Sequence, residues 1–188
     1  GAEGRGRARR AGRRGSNPRG RSAGDAATKT NKNSTPLTPT LEPRDMESFE
    51  ECNLAENIQS ALKGMGITKP TPIQALAIEP VLAGKDVIAK AETGTGKTLA
   101  FGAPMMSKID PSRSTVLGLV LSPTRELAEQ VHDVLKELGA ASGVKTTLIV
   151  GGEQMGSQVR ALQAGAQVVV PNCYSTQPAQ VAVHWLPR

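Results

Sequence analysis

Aromatic residues are scarce: one Trp, one Tyr and two Phe make up 2% of the 188 residues. Only Phe49 and Phe101 fall between Met46 and Val170. Cysteine is almost as rare. Cys52 and Cys173 lie far apart and outside any CxxC spacing. That excludes a zinc ribbon and gives no support to a disulfide scaffold. A reducing compartment, the cytoplasm by default, follows. Long apolar runs are also missing. Val168 to Val170 is among the longest, which excludes a membrane-spanning helix and with it a membrane partner. Hydrophobic residues are 38%, enough for one ordinary domain with a core.

The charge of +6 is unevenly placed. Residues 1–45 hold nine Arg and two Lys against four acids, while the rest of the chain is nearly neutral. Gly1 to Gly24 alone carries eight Arg and seven Gly. Such a stretch has little to bury and is expected to be disordered. A Thr/Pro-rich linker with Pro36, Pro39 and Pro43 follows it. Guanidinium groups on a flexible arm suit a nucleic-acid backbone, since each forks onto phosphate oxygens and releases counterions. A solubilising or targeting tail is the plainer reading. The Gly and Pro content speaks against the amphipathic helix of an organelle transit peptide. The first residue is Gly rather than Met, which leaves the true N-terminus open.

Beyond Met46 the hydrophobic period alternates between helix and strand. Asn53 and Glu56 have capping-box spacing. They predict a helix through Leu54, Ile58, Ala61, Leu62 and Met65, ended by Gly64 and Gly66. A second helix is expected from Thr71, with Pro72 at its first position, to about Leu82. Val87–Ala89 reads as a short buried strand, and the helix after residue 98 as interrupted near Pro104. Val116–Leu121 is the next strand. Thr124 caps a helix bearing Leu127, Val131, Val134, Leu135 and Leu138, closed by Gly139. Strand Lys145–Val150, a helix with Met155, Val159 and Leu162 stopped by Gly165, and strand Gln167–Val170 complete the body. Strands alternating with helices predict an α/β fold with a parallel sheet.

The segment Ala91-Glu92-Thr93-Gly94-Thr95-Gly96-Lys97-Thr98 fits the phosphate-loop pattern, with Ala91 in place of the first Gly. Gly94 and Gly96 free the backbone to turn N–H groups toward phosphate oxygens. The helix behind the loop adds the positive end of its dipole. Lys97 is placed to reach the β and γ phosphates and Thr98 to ligate Mg²⁺. An ordinary glycine-rich turn with a surface lysine is the alternative. The expected strand before it and helix after it favour the nucleotide reading.

Together with its neighbours this loop resembles the first motif of the DEAD-box RNA helicases. Gly66-Ile67-Thr68-Lys69-Pro70-Thr71-Pro72-Ile73-Gln74 resembles the Q motif of that family, with Phe49 as the isolated upstream aromatic. Ile67 departs from it, since the family more often has Phe there. Pro123-Thr124-Arg125-Glu126-Leu127-Ala128 is similar to motif Ia, and Gly151-Gly152 to the GG element. The resemblance spans residues 47–170. It implies an incomplete first RecA-like P-loop domain of an ATP-dependent RNA helicase, with ATP and Mg²⁺ as cofactors and RNA as partner. Protein partners stay unknown.

The implied roles each meet a plainer alternative. Phe49, before the first helix where a core has little claim on it, suits stacking on adenine, or staples that helix. The Gln74 amide can pair with adenine, as amides do in DNA; its spacing from Thr71 also fits a capping box. Arg125 sits at the positive end of its helix dipole, where a cation is disfavoured until a phosphate arrives. Pro123 and Thr124 expose backbone N–H groups beside it. A solvated surface arginine is the alternative. Gly151 and Gly152 let a second segment approach the same RNA, or merely turn the chain. His132 reads as solvent-facing, and Glu126, Glu129, Lys136 and Glu137 as a solvated face.

The family holds Mg²⁺ and orients water with an Asp-Glu pair in motif II. No Asp-Glu dipeptide occurs here, and Glu153 is the last acid. Where the family continues toward a Thr-Pro-Gly-Arg element, Pro171 to Arg188 departs and carries the single Tyr and Trp. A shifted frame, an intron or an alternative exon would give such a change. The expected division is an arm at 1–45, a partial helicase domain at 46–170 and a non-family tail at 171–188. The resemblance implies an ATP-dependent RNA helicase, expected to be inactive as this chain alone, with the second RecA-like domain and its arginine finger expected to lie outside it. It is also expected to aggregate through the open sheet edge where the motif II strand would pair. A noncatalytic ATP- or RNA-binding isoform is one alternative. A kinase or transport ATPase is another, against which the Q motif and motif Ia argue.

Overall fold

The computed structural model describes residues 46–173 and 181–185. The basic arm at 1–45 and the tail residues 174–180 and 186–188 lie outside the described residues. Val168-Val169-Val170 is a run of β-branched residues, which favour an extended, packed backbone. It forms the strand on which the sheet is built.

Five α-helices and two strands lead up to it in chain order. A 3₁₀ turn (Phe49–Cys52) precedes α1 (Glu56–Gly64), α2 (Pro72–Leu82) and α3 (Lys97–Lys108). Then come β1 (Gly118–Leu121), α4 (Arg125–Ser142), β2 (Thr146–Ile149), α5 (Met155–Gln163), β3 (Val168–Pro171) and β4 (Ala182–Trp185). The sheet order is β2-β3-β1-β4. β3 runs parallel to both neighbours, pairing Val168 with Gly118 on one side and with Thr146 on the other. β4 is antiparallel to β1, with Leu119 opposite His184. Val168 and Val170 are fully buried, and Val131, Leu135 and Leu138 of α4 join them in the core. The α/β class and the parallel character of the sheet match the sequence expectation.

Several local expectations are corrected. Val87–Ala89 is not a buried strand: the segment pairs with no strand, and Ile88 is 95% exposed. A strand exists only by its hydrogen-bonded neighbour, and the free side of β1 is taken by β4. The side of β1 away from β3 is therefore covered, and by the tail that sequence left without structure. β3 also runs on to Pro171, and Cys173 N–H donates to the Ser122 carbonyl at 2.8 Å, so the body passes Val170.

The helix caps differ too. Asn53 does not cap α1. It adopts a left-handed φ of 52° at the end of the 3₁₀ turn, and α1 starts behind Ala55. The capping box belongs to Ser48 and Glu51 instead. Pro104 lies within a continuous α3, where burial of Ala103, Met105 and Met106 around it offsets one lost hydrogen bond. α4 does not stop at Gly139 but runs to Ser142, and Gly143 takes the left-handed cap at φ 73°. Gly139 serves packing: a Cβ there would stand 2.5 Å from the Val144 carbonyl oxygen.

β1 and β2 are shorter than periodicity suggests, and β3 starts one residue later, after Gln167, which is 2% exposed. Its Oε1 accepts from Lys145 N–H at 2.7 Å, and its Nε2 donates to the carbonyls of Pro111 and Arg113 at 3.0 and 2.7 Å. α5 forms where expected, yet Met155, Val159 and Leu162 are 75, 41 and 38% exposed, so its apolar stripe faces outward. Among the described residues no helix is long and apolar enough to cross a membrane.

Two substitutions separate these assignments. Gly139→Ala is expected to destabilise by about 1–3 kcal/mol through overpacking, against the roughly 1 kcal/mol that alanine normally gains over glycine in a helix. Ile88→Ser is expected to stay within about 0.5 kcal/mol of the parent. Urea unfolding midpoints check both, and the reverse ranking would contradict the fold described.

Candidate functional site

Residues 91–96 form an irregular loop between an extended segment and α3. Gly94 and Gly96 carry φ values of 82° and 81°, conformations that side chains resist. Thr95 Oγ1 closes the loop on the Glu92 carbonyl at 2.8 Å. Gly96 is the N-cap of α3 and brings no side-chain cap, so the N–H groups of Lys97 and Thr98 stay available to a ligand, while Leu99 N–H donates to the Gly96 carbonyl at 3.1 Å. Lys97 folds back over the loop. Its ammonium donates to the Ala91 carbonyl at 2.7 Å and also to that of Glu92. Thr98 follows in the first turn, half-buried. Loop, lysine and helix end are thus together as expected, though the strand expected before them is not formed.

The second helix is tied to this loop. Thr71 Oγ1 donates to the Thr95 carbonyl at 2.8 Å. Gln74, 1% exposed, spans the gap: Oε1 accepts from Thr71 N–H at 2.9 Å and Nε2 donates to the Gly96 carbonyl at 3.1 Å. The alternative capping role is therefore real, and the other end of the amide is also engaged. A Cβ on Gly96 would collide with Gln74 Nε2, so glycine is required there by packing as well as by φ. Phe49 is corrected. It is 4% exposed within the core, so the core does claim it.

On another part of the surface, parallel pairing brings the ends of β1 and β2 to the same edge. Thr124 caps α4 as expected, accepting from Leu127 N–H at 3.2 Å. Arg125 is not simply solvated. Its Nε donates to Glu129 Oε1 at 2.8 Å, Nη2 to Glu153 Oε1 at 2.7 Å, and Nη1 to the Gly151 carbonyl at 3.3 Å. The Glu129 carboxylate first, then that of Glu153, holds the guanidinium pKa above its ordinary value. Gly152 turns at φ 84° beside them, and Pro123 leads into the cap. Arg125, Gly151 and Gly152, separate in sequence, form one cluster.

Sequence reasoning missed both acids of that cluster. Glu129 was legible as an i,i+4 partner of Arg125; Glu153 becomes a neighbour only through sheet topology. Glu126, Lys136 and Glu137 are exposed, as expected of a solvated face. His132 is corrected: it is half-buried, with Nε2 3.2 Å from Thr146 Oγ1. Ser122 Oγ is buried without a hydrogen-bond partner among the described residues.

Comparison with known proteins gives a consistent set of likenesses. A family model described as DEAD/DEAH box helicase matches residues 71–181. The ATP-dependent rRNA helicase RRP3 of Candida glabrata is 45% identical over 124 residues, 66% of this chain and 25% of that protein. The chain spans about a quarter of the length of the curated relatives it matches. A crystal structure of a DEAD box protein from Methanococcus jannaschii superposes with a TM-score of 0.64 and 35% identity, covering 69% of this chain and 35% of that one. S. cerevisiae Dbp5 bound to RNA and ADP BeF3 gives 0.61 and 32%, covering 68% and 32%.

Burial pushes the His132 pKa below its ordinary value; Thr146 and Asp133 favour the charged form but do not offset this, and Lys136 opposes it. A folded pKa below the unfolded value of about 6.5 means that protonation favours unfolding. This contribution is complete above that pH and is lost as pH falls through it toward the depressed folded value. The slope is at most about 1.4 kcal/mol per pH unit. Denaturant titrations from pH 7.5 to 5.5 should show stability falling, and His132→Gln should flatten the fall. Equal slopes would contradict the assignment.

Proposed function

The chain belongs to the DEAD/DEAH box helicase family, and from that premise we propose that it carries the nucleotide-binding half of an ATP-dependent RNA helicase. The observation that carries this is the loop 91–98. Its glycines hold a concave backbone, its helix end offers N–H donors, and the Lys97 ammonium rests on the loop's own carbonyls. These are the donors a polyphosphate takes. On binding, the ammonium would exchange two carbonyl oxygens for phosphate oxygens. The names of the relatives, and a similar structure solved with RNA and ADP BeF3, support the same reading.

Ala91 to Thr98 would cradle the phosphates. The Thr98 hydroxyl would help hold Mg²⁺ carried in with the nucleotide, which would supply neutralising charge at the phosphates. Among the described residues no group of three His, Cys, Asp or Glu could hold it unaided. Adenine would be read by Gln74, which must then exchange its bond to Gly96 or Thr71 for bonds to the base. Phe49 is left out, because a buried ring offers a base no face to stack on.

Backbone phosphates of RNA would meet Pro123, Thr124, Arg125, Gly151 and Gly152, with the arm at 1–45 adding contacts that ignore sequence. The partial helicase domain would begin at residue 46 and run past Val170, taking in the sheet strand at Ala182–Trp185. Two free cysteines, one buried and one half-buried, suit a reducing cytoplasmic setting.

No Asp-Glu pair occurs among the 188 residues. Without that pair the 188-residue polypeptide would bind nucleotide but not turn it over.

Titration with labelled ADP and GDP tests the site. ADP should bind more tightly by about 1–3 kcal/mol, the range of a good bidentate base contact. Lys97→Ala should remove binding of both, and Gln74→Ala only the preference. Phosphate release should not respond to RNA. Equal affinities in the parent would remove the adenine assignment, and RNA-stimulated release lost in Lys97→Ala would overturn the inactivity.

A further inference from the structure

The Arg125 guanidinium has carboxylates of Glu129 and Glu153 on two of its nitrogens and the Gly151 carbonyl on the third. A cation in the first turn of α4 would stand against the helix dipole. The chain relieves that conflict with its own anions, one on the same helix and one beyond the glycine turn. Glu126, exposed in the same turn, adds a third acid. The local charge is therefore net negative where a phosphodiester is proposed to land.

We propose that Glu153 is a specificity-setting residue that occupies the phosphate position on Arg125, so that RNA enters only by displacing it. This rests on the reading of Arg125 as an RNA contact. Glu153 rather than Glu129 is the group displaced. Glu129 stands one helical turn from Arg125, at i,i+4, where backbone geometry keeps the pair in register. Glu153 is 52% exposed at the side chain and is joined to the sheet through Gly151 and Gly152. The same turn is held a second time by Gly151 on Nη1. Arg125 and the GG turn are thus closed on each other, and a phosphate that captures the guanidinium releases the turn as well. Glu129 meanwhile keeps the guanidinium plane oriented. The arrangement favours ligands that present a phosphate at the arginine and backbone acceptors at the turn together.

The experiment uses the full chain and a fluorescent twelve-residue uridine oligonucleotide, read by anisotropy at several salt concentrations. E153Q should bind about two- to fivefold more tightly, the span of an exposed ion pair. E137Q, an exposed acid on the same helix, reports the effect of net charge and should match the parent. In an R125A background E153Q should bring no gain. Backbone amide chemical shifts give a readout independent of the basic arm: the Gly151 and Gly152 resonances should move once RNA is added, and in E153Q already without it, since both changes remove the Glu153 carboxylate from Arg125. An equal gain in E137Q, a gain that survives R125A, or unmoved turn resonances in E153Q would overturn the proposal. Should R125A bind RNA as the parent does, with the turn resonances insensitive to RNA, the underlying reading of Arg125 falls. Weakening in R125A with a neutral E153Q removes only the role of Glu153.

Discussion

The meeting of Arg125 with the Gly151-Gly152 turn hangs on the parallel pairing of β3 with both β1 and β2. Parallel strands share a direction, so their C-terminal ends open on one edge of the sheet. α4 starts at that edge after β1, and the Gly151-Gly152 turn lies there after β2. Arg125 meets Glu153 for this reason alone. The pairing is anchored by burial: Val168 and Val170 have no exposure, and α4 covers them with Val131, Leu135 and Leu138. Fully burying one such side chain contributes about 1.5–3 kcal/mol, far more than any exposed ion pair at the edge. The apolar layer fixes the frame, and the polar groups at its rim are arranged by it.

Both proposed ligand sites are already filled by the chain itself. Lys97 spends its charge on loop carbonyls, Gln74 bridges two backbone groups, and Arg125 holds two carboxylates. Each contact answers the rule that a buried or half-buried polar group seeks a partner. Each is also made of groups a ligand can replace with its own acceptors. Binding at such a site is an exchange of partners, with a net free energy smaller than the new contacts alone suggest. A network of this kind favours ligands that replace several contacts at once.

The sequence was most legible where one force dominates. The amphipathic stripe of α4, its Thr124 cap and the β-branched run of β3 are set by burial and local hydrogen bonding, and they formed as read. It was least legible where a distant partner decides. Val87-Ile88-Ala89 has the composition of a strand, but without a neighbour in the sheet it remains exposed. Gly139 has the composition of a helix end, yet the approach of Val144 assigns it to packing. Phe49 seemed free of the core because nothing local shows that the 3₁₀ turn packs against α2 and carries the ring into the core. At the site, the loop glycines, Lys97 and Gln74 were found from spacing; Glu153 was not, since its meeting with Arg125 depends on β1 and β2 both pairing with β3.

The antiparallel strand at the sheet's margin bears on how the chain is made. β1 leaves the ribosome early, but β3 pairs with one of its sides only after Val168 is synthesised, and β4 with the other only after Ala182. At the usual 5–20 residues per second, the roughly sixty residues between β1 and β4 take about 3–12 seconds. During that interval Leu119 and Val120 have no strand on the side β4 will occupy. The strand translated first is the last to be enclosed, and protection of the nascent chain is a matter of translation speed as much as of sequence.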